Sequence, residues 1–152
     1  MAMKIGVLSD THGLLRAEVR SGLQGCDMII HAGDVGSPSV LTELRRITEV
    51  VAVRGNVDTG QWAKELRVEE HVDVEGHRIC VVHDISTLSV DPASAGIDVV
   101  IYGHSHKPVV ERRGGILYLN PGSAGPKRFQ LPVSMAFLHI KAAEVSPEMV
   151  VL

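Results

Sequence analysis

Seven residues of metal-binding type stand at the ends of five short apolar runs. "KIGVLSDTHG" (4–13) ends in Asp10 and His12, "DMIIHAGD" (27–34) in Asp34 and "EVVAVRGN" (49–56) in Asn56. "HRICVVHD" (77–84) supplies His83, and "DVVIYGHSH" (98–106) supplies His104 and His106. Each has an ordinary explanation when taken alone. Asp10 could cap a helix, Asp34 could sit in a turn, and Asn56 could occupy a left-handed loop position. The coincidence carries the argument, because ligands of open α/β sheets bind outside the carboxyl ends of the strands. In an extended segment residues i and i+2 share a face, so His104 and His106 can reach one region of space, and imidazole is the commonest metal ligand.

Seven candidates exceed what one zinc-type ion uses, which is about three protein ligands and a water in a catalytic site. The set suits two ions lying about 3.5–4 Å apart, with a bridging group to relieve their repulsion. A carboxylate can bridge with its two oxygens, and Asp34, alone on its strand end, is the natural bridge. Mixed imidazole, carboxylate and amide donors favour manganese, iron, zinc or nickel over calcium, which takes oxygen throughout. With neutral imidazoles, two divalent ions, two aspartates and a bridging hydroxide leave a net positive charge. Such a centre invites an anion. A phosphate oxygen could bind across both ions while metal-bound hydroxide attacks phosphorus in line. The sequence has no G-x-x-x-x-G-K-[ST] loop that would indicate a nucleotide-binding P-loop.

The elements that must position these residues follow from the pattern. Between the first three runs, "LLRAEVRSGLQG" and "SPSVLTELRRIT" have helical spacing, the second opened by Ser37 and Pro38 at N-cap and N1. That half reads βαβαβ, with near-continuous Val/Ile/Leu strands suited to a sheet buried on both faces. The second half alternates and turns at Glu75-Gly76 and again at Gly114-Gly115, as antiparallel hairpins do, and "VSMAFLHIKAAEVSPEMVVL" supplies a last pair of strands. A mixed α/β (α+β) architecture is expected, its strands divided between two sheets packed face to face with helices outside. The 152 residues read as a single domain, 1–152. A net charge of −3 provides no basic field for nucleic acid. Two widely separated cysteines, Cys26 and Cys80, argue against a disulfide framework. With no leader-like segment and no apolar span of about 20 residues, a cytoplasmic protein without membrane attachment is expected.

In order, D-x-H (10–12), G-D (33–34), G-N (55–56), the isolated His83 and G-H-x-H (103–106) resemble the motifs of the calcineurin-like metallophosphoesterases. "GNVD" (55–58) and "NPGS" (120–123) resemble those of its compact bacterial and archaeal phosphodiesterase branch. The resemblance covers residues 4 to about 128. It implies a four-layer αββα sandwich with two mixed β-sheets and a dinuclear centre, most often loaded with Mn2+. It further implies a metal-dependent phosphodiesterase acting on a small phosphodiester. By position, Asp10, His12, Asp34 and His106 would hold one ion, and Asp34, Asn56, His83 and His104 the other. Asp34, Asn56 and His104 would be the catalytic positions, with Asn56 and Arg128 contacting substrate.

The sequence departs from the superfamily pattern at two places. Val57 stands where many phosphatases carry a histidine able to protonate the leaving group, and Asp84 follows His83 where glycine is usual. Asp84 either orients a ligand histidine or caps the next turn. A phosphomonoesterase is the alternative within the fold. A non-catalytic scaffold resembling the retromer subunit is the alternative outside catalysis, and retention of every histidine ligand weighs against it. His31, His71, His77 and His139 read as sheet or surface residues, and Cys26 and Cys80 as small buried hydrophobes. Arg54 and Lys127 are either cations near the metals that could hold a phosphate substituent or solvated surface charge, and the oligomeric state, a homo-oligomer included, stays open.

Overall fold

The computed structural model describes residues 2–152. The first half forms β1 (Ala2–Leu8), α1 (Ala17–Gly22), β2 (Met28–His31), α2 (Pro38–Arg45) and β3 (Val50–Ala52). The hairpins follow as β4 (Glu69–Val74) with β5 (His77–Val82), and β7 (Val109–Arg113) with β8 (Ile116–Asn120). Between them lies β6 (Val99–Ile101), and the chain ends in β9 (Ser134–Lys141) and β10 (Glu144–Val151). The strands make two five-stranded mixed sheets, ordered β10-β9-β1-β2-β3 and β4-β5-β6-β8-β7.

Register aligns the functional ends. In the first sheet β1, β2 and β3 are parallel, with Leu8 opposite His31 and His31 opposite Ala52, so Asp10, Asp34 and Asn56 leave along one edge. In the second, β5 and β6 are parallel with Val81 opposite Ile101, which carries His83 and the Gly103–His106 segment to one edge. Ile5, Val7 and Ile30 from the first sheet and Ile79, Val81, Val99, Ile101, Leu117 and Leu119 from the second form one buried apolar cluster between the sheets. Burying each such side chain contributes on the order of 1.5–3 kcal/mol, so this cluster holds the two edges against each other.

Val19 and Leu23, on and just beyond α1, and Val40, Leu41 and Leu44 of α2 cover the other face of the first sheet. The Ser37 hydroxyl caps α2 by accepting from the Ser39 amide at 3.3 Å, as the Ser-Pro pair foretold. Helix α1 is only six residues long, shorter than the spacing suggested, and Gly25 beyond it has φ +85°. On the outer face of the second sheet, Cys80, Ile97, Val100 and Ile116 pack against Ile85, Leu88, Val90 and Ala95. The covering layer there is an irregular segment with one short 3₁₀ turn, Ile85–Thr87, in place of the helix expected outside the sheet. Its sequence, "ISTLSVDPASAG", mixes β-branched residues with Pro, Ser and Asp, which favour turns over a helical run. Among the described residues no helix is long and apolar enough to cross a membrane.

Candidate metal centre

The loops leaving the strand ends meet at one point. Asp10 is fully buried, and Ser9 Oγ donates to its Oδ2 at 2.7 Å while the His104 amide approaches the same oxygen at 3.3 Å. Its Oδ1 has no hydrogen-bond partner and faces His12 Nε2 at 3.8 Å, His83 Nε2 at 3.9 Å and His106 Nε2 at 3.4 Å. Asp34 accepts the Val57 amide on Oδ1 at 3.0 Å, and turns Oδ2 towards His12 Nε2 at 3.6 Å and His83 Nε2 at 3.2 Å. The imidazoles pair across the site, His12 with His106 and His83 with His104, each pair with ring centroids 5.3 Å apart.

Asp10, His12, Asp34, His104 and His106 all adopt left-handed backbone conformations, with φ between 47° and 74°. Such conformations cost non-glycine residues on the order of 1–3 kcal/mol each and persist where the surroundings over-determine them. Those surroundings are tight. A Cβ on Gly103 would strike Ser9 Oγ and Asp10 Oδ2, and one on Gly55 would strike Asp34, so both glycines are fixed by close approach to the carboxylates.

Hydrogen bonds set the tautomers. His83 Nδ1–H donates to the Ala32 carbonyl at 2.7 Å, which leaves its buried Nε2 aimed at Asp34 and Asp10. This is how ligand histidines are usually held. Burial pushes the Asp10 carboxyl above its ordinary range despite the Ser9 hydrogen bond. Burial also works against Asp34, yet hydrogen bonds from His83 and the Val57 amide hold it at about 2. For His83, burial is outweighed by Asp34 and the Ala32 carbonyl, which raise it, whereas burial lowers His106. A cluster that leaves the buried Asp10 Oδ1, His12 Nε2 and His83 Nε2 without hydrogen-bond partners is chemically suited to cations. Two ligand triads lie within coordinating distance, Asp10–His12–His106 and Asp10–Asp34–His83.

The remaining candidates sit around this cluster. Asn56 is exposed and lines a cleft with Arg54, Val68, His83, Asp84 and Thr87. His104 is half exposed, its Nε2 3.9 Å from Asp84 Oδ2, while Asp84 Oδ1 caps the next turn through the Ser86 amide and hydroxyl. Asp84 thus caps the next turn, and at 3.9 Å its other oxygen makes no hydrogen bond that would orient His104. Arg128 is exposed and close enough for its charge to help lower His106. His31 is fully buried and only braces loops, its Nδ1 accepting the Gly33 amide and its Nε2–H donating to Thr11.

Three supports escaped the sequence reading. Buried Asp58 accepts the amides of Val35 at 3.2 Å, Gly36 at 2.8 Å and Gly55 at 2.9 Å, clasping the Asp34 loop to the Asn56 loop. Asn120 Nδ2 donates to the Gly103 carbonyl, and Ser123 Oγ to the Asp10 carbonyl. The "NPGS" stretch therefore braces two ligand loops, and "GNVD" owes its aspartate to the clasp.

A fold of two mixed sheets with histidines and aspartates gathered at strand ends defines a metallophosphoesterase-like protein, and the comparisons agree. The calcineurin-like phosphoesterase superfamily domain is matched over residues 3–143, and the chain belongs to that superfamily, a phosphoesterase by class. It is 32% identical to a probable metallophosphoesterase of Methanothermobacter thermautotrophicus, across 97% of this chain and 92% of the relative. It is 31% identical to a phosphodiesterase of Methanocaldococcus jannaschii, across 79% of this chain and 83% of the relative. The structure of Vps29 from Chaetomium thermophilum is similar with a TM-score of 0.81 over 98% of this chain and 96% of that one, at 17% identity, a likeness of fold alone.

Proposed function

We propose that this chain is a metal-dependent phosphodiesterase whose strand-end centre takes two divalent transition-metal ions, manganese first, with iron, zinc and nickel as alternatives. The observation that carries the reading is Asp34 Oδ2, a single carboxylate oxygen turned towards both His12 Nε2 and His83 Nε2. Oδ1 is engaged by the Val57 amide, so Oδ2 is the oxygen through which Asp34 would help to hold the ions. Asp10, His12, Asp34 and His106 would hold one ion, and Asp34, Asn56, His83 and His104 the other. The pairing of His12 with His106 and of His83 with His104 supports that partition, while Asp10, which faces both groups, stands closer to the second ion's ligands than the partition requires.

Two divalent ions bound there supply Lewis acidity, which polarises a phosphoryl oxygen and makes water nucleophilic near neutral pH. The protein's part is orientation. Ser9 and the His104 amide fix Asp10, the Ala32 carbonyl fixes the His83 tautomer, and the Val57 amide fixes Asp34. Asn56 and Arg128 would meet the phosphate oxygens, and His104, half exposed, the leaving side of the substrate. Val57 offers no proton there, which favours a diester with a competent leaving group over a dianionic monoester. The free thiols suit a cytoplasmic setting, and the chain is read as one domain.

Hydrolysis of an aryl phosphodiester beside the matching monoester, with a panel of metals, tests this. Metal-dependent diester hydrolysis exceeding that of the monoester is expected. Preference for the monoester would favour the phosphomonoesterase, and hydrolysis of neither would favour a Vps29-like scaffold, a reading supported only by fold.

A further inference from the structure

On the outer face of the second sheet, His71 and Cys80 stand directly opposite each other in the β4–β5 ladder, so their side chains leave on the same side. Glu69, two residues before His71, shares that side. His71 Nε2 lies 2.8 Å from Glu69 Oε2 and 3.6 Å from Cys80 Sγ. Ser89 secures the carboxylate, its amide donating to Oε1 at 3.0 Å and its hydroxyl to Oε2 at 2.7 Å. A carboxylate, an imidazole and a thiol thus converge, with their donor atoms all within 4.8 Å of one another.

One nitrogen faces two partners. If His71 Nε2 carries a proton, it serves Glu69, and the buried Cys80 thiol is left without an acceptor. If it does not, the thiol can donate, but a bare nitrogen then faces a carboxylate oxygen. A cation would engage all three atoms at once. With Zn–N near 2.0 Å and Zn–S near 2.3 Å, tetrahedral nitrogen and sulfur ligands stand about 3.5 Å apart, close to the 3.6 Å between His71 Nε2 and Cys80 Sγ, whereas the 2.8 Å between Nε2 and Glu69 Oε2 is a hydrogen-bond distance that a bound ion would open by a few tenths of an ångström.

We propose that Glu69, His71 and Cys80 form a mononuclear metal site, separate from the strand-end centre, selective for a thiophilic divalent ion of the zinc type. The thiolate makes it selective, because soft sulfur favours zinc or cobalt over manganese, whereas the strand-end centre offers only nitrogen and oxygen. The exposed side of His71 leaves a fourth position to water. Ser89, hydrogen-bonded to Glu69, orients the carboxylate from outside the coordination sphere. Without an ion, burial and then the charge of Glu69 push the thiol up to about 12. A coordinating cation reverses this and releases the thiol proton. A bound ion would tie edge strand β4 to β5 and to the irregular layer carrying Ser89.

Cobalt(II) added to the purified full chain reports the site directly, because a thiolate ligand gives a near-ultraviolet charge-transfer band that nitrogen and oxygen ligands do not. The band should appear, reach the intensity of one thiolate-bound cobalt per chain once every site is filled, vanish in Cys80→Ser, and persist in Asp34→Asn. His71→Ala, a change at an exposed side chain, should weaken cobalt binding at this band by more than about 100-fold, the upper range for losing an outer-shell partner. No band in the native chain, a band surviving Cys80→Ser, or unchanged affinity in His71→Ala would overturn the proposal.

Discussion

His83 Nε2 faces Asp34 Oδ2 across 3.2 Å with its lone pair forward, because its other nitrogen donates to the Ala32 carbonyl at 2.7 Å. Two acceptors confronting each other in a buried pocket require a positive charge between them, a proton in the free protein or a metal ion in the loaded one. The centre is organised around that requirement.

Asp34→Asn tests it with little change of shape. The amide can keep its oxygen on the Val57 N–H, but it places an NH₂ group where Oδ2 stood. Competition against a chelator should show metal affinity reduced by more than the ~10–100-fold typical of losing an outer-shell partner. Diesterase activity should fall with it. Affinity equal to that of the native chain would remove Asp34 from the ligand set.

Asp58 should matter for stability although it does not face the centre. Replacing it with Ala would leave the amides of Val35, Gly36 and Gly55 without their carboxylate. Hydrogen bonds to a charged group contribute about 1.5–3 kcal/mol each, and their losses here overlap. Urea unfolding should show a loss of at least ~2 kcal/mol, and metal affinity should fall because the Asp34 loop is released. A loss under ~0.5 kcal/mol, the range of ordinary surface changes, would show that the clasp is dispensable.

His31 should make the metal-free protein acid-sensitive. Burial pushes its pKa from 6.5 down to about 3. Between those values the unfolded chain binds a proton that the folded chain excludes, so stability falls as pH drops from about 6.5 towards 3. The contribution is about 1.4 kcal/mol per pH unit. Unfolding of the chelated protein between pH 7.5 and 4.5 should show a steeper pH dependence in the native chain than in His31→Gln. Equal slopes would mean that His31 does not titrate with folding.

The candidate cluster was legible because chemistry and position coincided: Asp10, His12, Asp34, Asn56, His83, His104 and His106 all follow apolar runs, and strand ends converge in such sheets. Ser37-Pro38, Glu75-Gly76 and Gly114-Gly115 marked their boundaries because each residue type has a local conformational reason to be there. What stayed hidden depends on long-range backbone contacts. Asp58 looks like a loop aspartate until three amides from two distant segments point at it. His71 and Cys80, nine residues apart in the chain, become neighbours only through the register of their hairpin. The left-handed backbone at Asp10 and His106 is likewise not legible, because even residue types enriched there adopt it in a small minority of positions.

Val57 offers a specificity test. Its amide is engaged by Asp34, but its side chain is 46% exposed and free to change. A positioned general acid contributes roughly 10²–10⁴-fold, most where the leaving group is poor. Val57→His should therefore raise hydrolysis of monoesters and alkyl diesters relative to activated aryl diesters, while the native chain shows a steep dependence on leaving-group acidity. A flat dependence in the native chain, or no gain in the variant, would show that position 57 does not set specificity.

The dinuclear phosphodiesterase reading is tested most directly by titrating Mn2+ into the chelated native chain while following hydrolysis of an aryl phosphodiester. Activity should be near zero without metal, rise with added manganese, and level off as the second equivalent binds. Activity that saturates at one equivalent, or that survives full chelation, would contradict the account.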